Sequence, residues 1–155
     1  MNKKEALKQI KAGELSLKDV DIKLQADKEV VLAAVKEYGP AFQYADDKLK
    51  ADKKFVLAVI RQEGRALRYS DDKFKTDKGV VLIAVKQAGT ALRHADKKLQ
   101  ADKEVVLAAV KQNGFALHFA DKKLQADKEV VLAAVNQDKE AIKYAAKSII
   151  TDLNR

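Results

Sequence analysis

The stretch KLQADKEVVLAAV, Lys23 to Val35, returns letter for letter as Lys98 to Val110 and again as Lys123 to Val135. Looser copies, KLKADKKFVLAVI from Lys48 to Ile60 and KFKTDKGVVLIAV from Lys73 to Val85, fill the gap at the same spacing of 25 residues. A fixed period of this size marks stacked supersecondary units, each of which hides its apolar side only against its neighbours. A coiled coil shares the composition, but its apolar period is seven.

Working outward from the phrase, Asp27 is a good N-cap, and Asp52, Asp77, Asp102 and Asp127 hold the same place in later copies. Each predicts a helix start, because a short carboxylate accepts from the open N–H groups of the first turn. The run Val30 to Val35 is almost wholly apolar, so this helix needs cover on more than one side. Gly39, Gly64, Gly89 and Gly114 come next, where a left-handed residue would end the helix. A second helix is expected from Pro40, with Ala41, Phe42, Ala45 and Leu49 on one face. Small Ala at 41, 66, 91, 116 and 141 suits close helix approach.

The first and last units depart from the pattern as caps do. Asn2 replaces the capping Asp, Gly13 breaks the first helix, and Ser16 with Asp19 resembles a capping box for a helix from about Leu17 to Leu24. Lys139 replaces the turn Gly, Asp138 is expected to cap a final helix running to about Ile150, and Asp152 falls in register with the earlier caps.

The expected fold is all-α: an α-solenoid of about six tandem 25-residue helical hairpins, right-handed in the manner of HEAT and TPR arrays. The unit boundaries are near 2–26, 27–51, 52–76, 77–101, 102–126 and 127–151. The phrase DKEVVLAAVKQNGFALHFA, Asp102 to Ala120, resembles the repeat of the domain of unknown function 4116 (DUF4116) family. That resemblance covers residues 27 to about 137 well. It implies a helical repeat and brings no activity, cofactor or catalytic residue.

Composition narrows the function classes. The chain carries 31 Lys plus Arg against 23 Asp plus Glu, a net charge of +8, which speaks to association and not to fold. It has no Cys, which rules out disulfides and thiolate metal sites. No run approaches the ~18 to 20 apolar residues of a membrane span, so a soluble protein, cytoplasmic by default, is expected.

Chemistry-bearing residues are few. His94 shares its register with Tyr44, Tyr69, Phe119 and Tyr144, which reads as a ring packed partly against the next hairpin. His118 falls with Gln43, Arg68, Arg93 and Lys143 on a polar position. The adjacent carboxylates Asp46 and Asp47, and Asp71 and Asp72, point ~100 degrees apart on a helix and read as a charged outer face, with Asp46 to Lys50 and Asp71 to Lys75 as i, i+4 pairs. No phosphate loop, no nucleophile beside a base and no metal signature occurs. No catalytic residue, metal or cofactor is expected, and the chain is not expected to be an enzyme.

Two features point to binding. Lys28, Lys53, Lys78, Lys103 and Lys128 sit at the first helical position, where a cation opposes the macrodipole, so something beyond helix propensity holds them there. One reading has each ammonium meeting a neighbouring cap Asp or water. The other is a cation row able to meet a polyanion, accompanied by Lys48, Lys73, Lys98 and Lys123 but offset by Asp46, Asp71, Asp96 and Asp121. The second feature is variation around the turn in an otherwise constant unit: Tyr38 and Pro40, Glu63 and Arg65, Ala88 and Thr90, Asn113 and Phe115, then Gln43, Arg68, Arg93, His118 and Lys143. Stacking presents such positions side by side. The candidate partner-binding residues are therefore Tyr38, Arg65, Arg68, Arg93, Phe115 and His118. The expected function is a non-catalytic, monomeric scaffold for another protein or peptide. Sequence-tolerant nucleic-acid binding through the Lys ladder is the alternative, and no membrane role is expected.

Overall fold

A computed structural model describes residues 1–155. It contains only helices, in six consecutive units of three. In the second unit these are an α-helix over Lys28–Glu37, a 3-10 helix over Gly39–Tyr44 and a short α-helix over Asp47–Ala51. The long helices stack side by side in one row, and the 3-10 helices form a parallel second row beneath them. From the second unit on, each long helix also packs on the 3-10 helix of its own unit, and in the fourth to sixth units equally on that of the preceding unit. No helix is long and apolar enough to cross a membrane.

The long helices form as the caps dictate. Asp27 Oδ1 accepts from Glu29 N and Val30 N at 3.0 and 3.2 Å, and Asp52, Asp77, Asp102 and Asp127 each accept from the third residue of their own helix. Val30, Val31, Ala34 and Val35 are all buried, because a helix in the middle of a row is covered from both flanks and from below. The same four positions are buried in the following three units. Each buried Val contributes on the order of 1.5 to 3 kcal/mol through area removed from water.

The second arm differs from the single helix expected from Ala41, Phe42, Ala45 and Leu49. It is a six-residue 3-10 helix, then a break at Ala45 (φ −66°, ψ 151°), then the short α-helix. The break has an inter-unit cause. In a continuous α-helix Asp46 N–H would bond within its own helix; here it donates to Gln25 O of the preceding unit at 3.0 Å. Asp71 to Lys50, Asp96 to Lys75, Asp121 to Gln100 and Ala146 to Gln125 repeat this bond at 3.1, 2.9, 2.9 and 2.8 Å. A six-residue 3-10 run exceeds the usual three or four, and its terminal carbonyls receive extra donors: Gln100 Nε2 donates to Leu92 O and Arg93 O, and Lys50 Nζ to Gln43 O.

Asp46 and Asp71 are thus N-caps, not members of a passive acidic face. They accept from Lys48 N and Lys73 N at 2.8 and 3.0 Å, as Asp96 and Asp121 do from Lys98 N and Lys123 N. The pairs expected at i, i+4 form instead one residue closer, Lys50 with Asp47 and Lys75 with Asp72.

The turn glycines are needed for a different reason from the one expected. Only Gly13 has positive φ (72°). It closes the first helix in a Schellman arrangement, with Gly13 N donating to Ile10 O and Glu14 N to Gln9 O, both at 2.9 Å. Elsewhere the long helix ends at an extended residue such as Ala88 (φ −145°), and the next residue, Gly, begins the 3-10 helix. A Cβ on Gly89 would lie inside contact distance of the Ala109 carbonyl of the next unit, and the same holds for Gly64 with Ala84 and Gly114 with Ala134. Close approach between units, not backbone handedness, requires glycine there.

At the ends, Ser16 makes no side-chain cap bond, Leu17–Asp19 is a single 3-10 turn, and Asp21 caps a short helix over Ile22–Gln25. Asp138 does act as a cap, but of a 3-10 helix over Lys139–Tyr144. Asp152 lies inside the last helix, Lys147–Leu153, and caps nothing.

Candidate functional site

Two basic edges run along the array, and they differ in what surrounds the charge. The first is the Lys ladder at the N-terminal ends of the long helices. Lys28 Nζ lies 2.8 Å from Asp52 Oδ2, Lys53 2.6 Å from Asp77, Lys78 2.8 Å from Asp102 and Lys103 2.9 Å from Asp127. Lys3 makes the same contact with Asp27 at 2.9 Å, while Lys128 has no carboxylate within 4.0 Å. Each cap therefore splits its oxygens, Oδ1 to the helix it starts and Oδ2 to the lysine of the unit before. Hydrogen bonding from the lysine holds Asp52, Asp77, Asp102 and Asp127 below the usual carboxylate range, with help from the helix N–H groups. Lys78 and Lys103 also reach Glu104 and Glu129, and hydrogen bonding to Asp102 and Asp127 first, then to these glutamates, raises both ammonium groups. This explains why a lysine tolerates the positive end of a helix dipole: its partner comes from the neighbouring unit.

The second edge is the row of 3-10 helices. Its residues after the glycine and three further on come together as the variation in sequence suggests. Arg65, Arg68, Arg93 and Phe115 line one groove of about 420 Å³, with Tyr69, His94 and Phe119 as its aromatic wall and Glu63 at its margin. His118 stands beside it, its ring 5.7 Å from Phe115 and 5.0 Å from Tyr144. Tyr38 is not part of the groove. It is 61% exposed and borders a separate hollow with Leu15, Ser16 and Leu17 of the first unit.

The position of each side chain comes from the 3-10 geometry. Three residues per turn align i with i+3, so the turn residue and the one three later share an edge. The aromatic register Tyr69, His94 and Phe119 lies one residue beyond the Arg register and is half-buried, forming a wall beside the exposed guanidinium groups. Arg68 sits 5.4 Å from the Tyr69 ring centre, and Arg93 5.4 Å from the ring of Phe119 in the next unit. Such stacking holds a guanidinium in place while leaving its N–H fork free.

Charge on this edge is open. Arg65 Nε approaches Glu63 at 3.4 Å, but neither Arg68 nor Arg93 has a carboxylate within 4.0 Å. His94 registers the result: burial, then Arg93, Arg68 and Lys75, push its pKa down to about 4, so it is neutral at pH 7. It reads as the half-buried ring expected from its register, and it also lines the groove.

Sequence reasoning missed one structural column. Gln87, Gln112 and Gln137 each reach back to the unit before, where Oε1 accepts from Gly64 N, Gly89 N and Gly114 N at 2.6, 2.5 and 2.5 Å. Gln87 Nε2 also donates to Gln62 O, and Gln112 Nε2 to Gln87 O. One amide thus satisfies a helix-end carbonyl and the N–H after it. The signal was the recurrence of Gln two residues before the turn Gly. No curated protein and no solved structure matches this chain. The model of a domain of unknown function, DUF4116, matches residues 4–50, 27–75, 52–100 and 102–150, each time across two consecutive units, and the chain belongs to that family.

Proposed function

We propose that the protein is a non-catalytic helical-repeat scaffold whose 3-10 edge binds an acidic peptide segment of another protein. The observation that supports this reading is the contrast in charge compensation: Arg68 and Arg93 stand uncompensated in an aromatic groove, whereas four of the five ladder lysines are matched by carboxylates. A guanidinium fork stacked on a ring is pre-organised for a carboxylate, and a rigid array loses little freedom on binding. Polyanion binding along the Lys ladder is the weaker reading, because a cation already paired with a carboxylate neutralises fewer phosphates and so releases fewer counterions from the polyanion.

The test is fluorescence anisotropy with a labelled peptide of mixed Glu and apolar residues, its Lys-for-Glu counterpart, and a short duplex DNA. The acidic peptide is expected to bind, and the triple variant Arg65→Gln, Arg68→Gln, Arg93→Gln to abolish binding. Equal affinity in wild type and triple variant, or preference for DNA with a steep salt dependence lost on lysine substitution, would reject the groove in favour of the ladder.

A further inference from the structure

We infer that the groove takes its acidic peptide in the polyproline II conformation and reads two carboxylates spaced three residues apart, one on Arg68 and one on Arg93. This rests on the reading of the groove as an acidic-peptide site and adds the conformation and register of the occupant.

Arg68 and Arg93 occupy equivalent places in consecutive units, 25 residues apart, and both line the same groove. The separation of their backbone positions along the array is set by the stacking of helices, about 8 to 10 Å. A carboxylate pair must span that distance on one face of the ligand. In an α-helix, residues i and i+4 share a face but rise only about 6 Å. In a β-strand, i and i+2 share a face at about 6.6 Å, and i+3 points the other way. Polyproline II has three residues per turn and a rise of 3.1 Å, so i and i+3 share a face about 9 Å apart. Among short acid pairs, that conformation alone matches the unit spacing.

The wall of the groove favours the same ligand. Polyproline II segments carry no internal hydrogen bonds and dock on aromatic-lined surfaces with little loss of freedom. Here the half-buried rings of Tyr69, His94 and Phe119 succeed one another at the unit spacing beside the two guanidinium groups. Phe115, 38% exposed, stands edge-on to Phe119 at 5.5 Å and lines the groove with it.

The experiment uses three labelled peptides in a Pro and Ala background, each with two Glu, placed two, three or four residues apart, and measures affinity by anisotropy at low salt. The three-residue spacing is expected to bind about ten-fold tighter than the other two, the worth of one well-formed charge-assisted hydrogen-bond pair. Arg68→Gln and Arg93→Gln, both at exposed positions, are each expected to remove the preference and leave all three peptides equally weak, with unchanged thermal unfolding. Equal wild-type affinity for the three spacings would overturn the register while leaving acidic-peptide binding in place. Binding of none of them, in Pro-rich or Pro-free backgrounds, would overturn both.

Discussion

The Lys ladder and the Arg groove are both rows of cations repeated along the same rod, yet one is closed and the other open. At the ladder, the unit that places a lysine at the start of one helix places an aspartate at the start of the next, and stacking brings them to 2.6 to 2.9 Å. At the groove, the position after Arg68 and after Arg93 carries a half-buried ring, Tyr69 and His94, and no acidic column accompanies them. The lesson is that net charge does not locate a binding edge. What matters is whether the period that repeats the cation also repeats an anion within reach of it.

The seam between units, on which the groove is mounted, is where a substitution is expected to do most harm. Gly89→Ala drives a Cβ against the backbone carbonyl of Ala109 in the next unit, which cannot yield as a flexible side chain does, and is expected to cost about 3 kcal/mol in urea unfolding. A wild-type midpoint would mean that the seam is not what holds the two units together.

Next in size is the binding contrast itself. Arg68→Gln with Arg93→Gln should weaken acidic-peptide affinity at least about ten-fold, whereas Lys78→Gln with Lys103→Gln should change it by no more than about two-fold. Titrations showing the reverse order would exchange the roles of the two edges.

A smaller effect tests why the ladder is closed. Asp102→Ala removes a helix cap and is expected to cost about 1 kcal/mol in thermal unfolding. Changing Asp52, Asp77, Asp102 and Asp127 together to Asn, with Glu104 and Glu129 to Gln, keeps the capping oxygens but frees four lysines. This variant should bind duplex DNA more tightly than the wild type, with a salt-sensitive gain; a variant with no such gain would show that pairing is not what silences the ladder.

A separate effect is in pH. The folded pKa of His94 is depressed to about 4 from 6.5, so between these values the unfolded chain binds a proton that the folded chain does not. Stability from this site is complete above pH 6.5 and is lost as pH falls toward 4. The cap aspartates are depressed too, so their contribution is lost only at more acidic pH, below the ordinary carboxylate value. His94→Gln should flatten unfolding midpoints between pH 6.5 and 4 without altering the acid limb, and an unchanged slope would place the proton uptake elsewhere.

The long helices and their caps were legible from local residues, because an N-cap bond spans only two or three positions. The clustering of Arg65, Arg68, Arg93 and Phe115 was legible as well, since variation within a constant unit marks exposure and stacking sets equivalent positions side by side. Tyr38 stands apart from them because its hollow is built by the atypical first unit, whose Gly13 turn differs from the rest. The split second arm was not legible: the apolar spacing of Ala41, Phe42, Ala45 and Leu49 fits one α-helix, and the choice against it is made by a carbonyl in another unit.

The period, the start of each long helix and the need for neighbours on both flanks are properties of the amino-acid order alone, since propensity, capping and apolar spacing act within a few residues. The partner of each lysine, the reason for each turn glycine and the opening of the groove beside Arg68 and Arg93 were decided by tertiary structure. Those depend on how far one unit advances on the next, a distance set by packing between units and written in no single one of them.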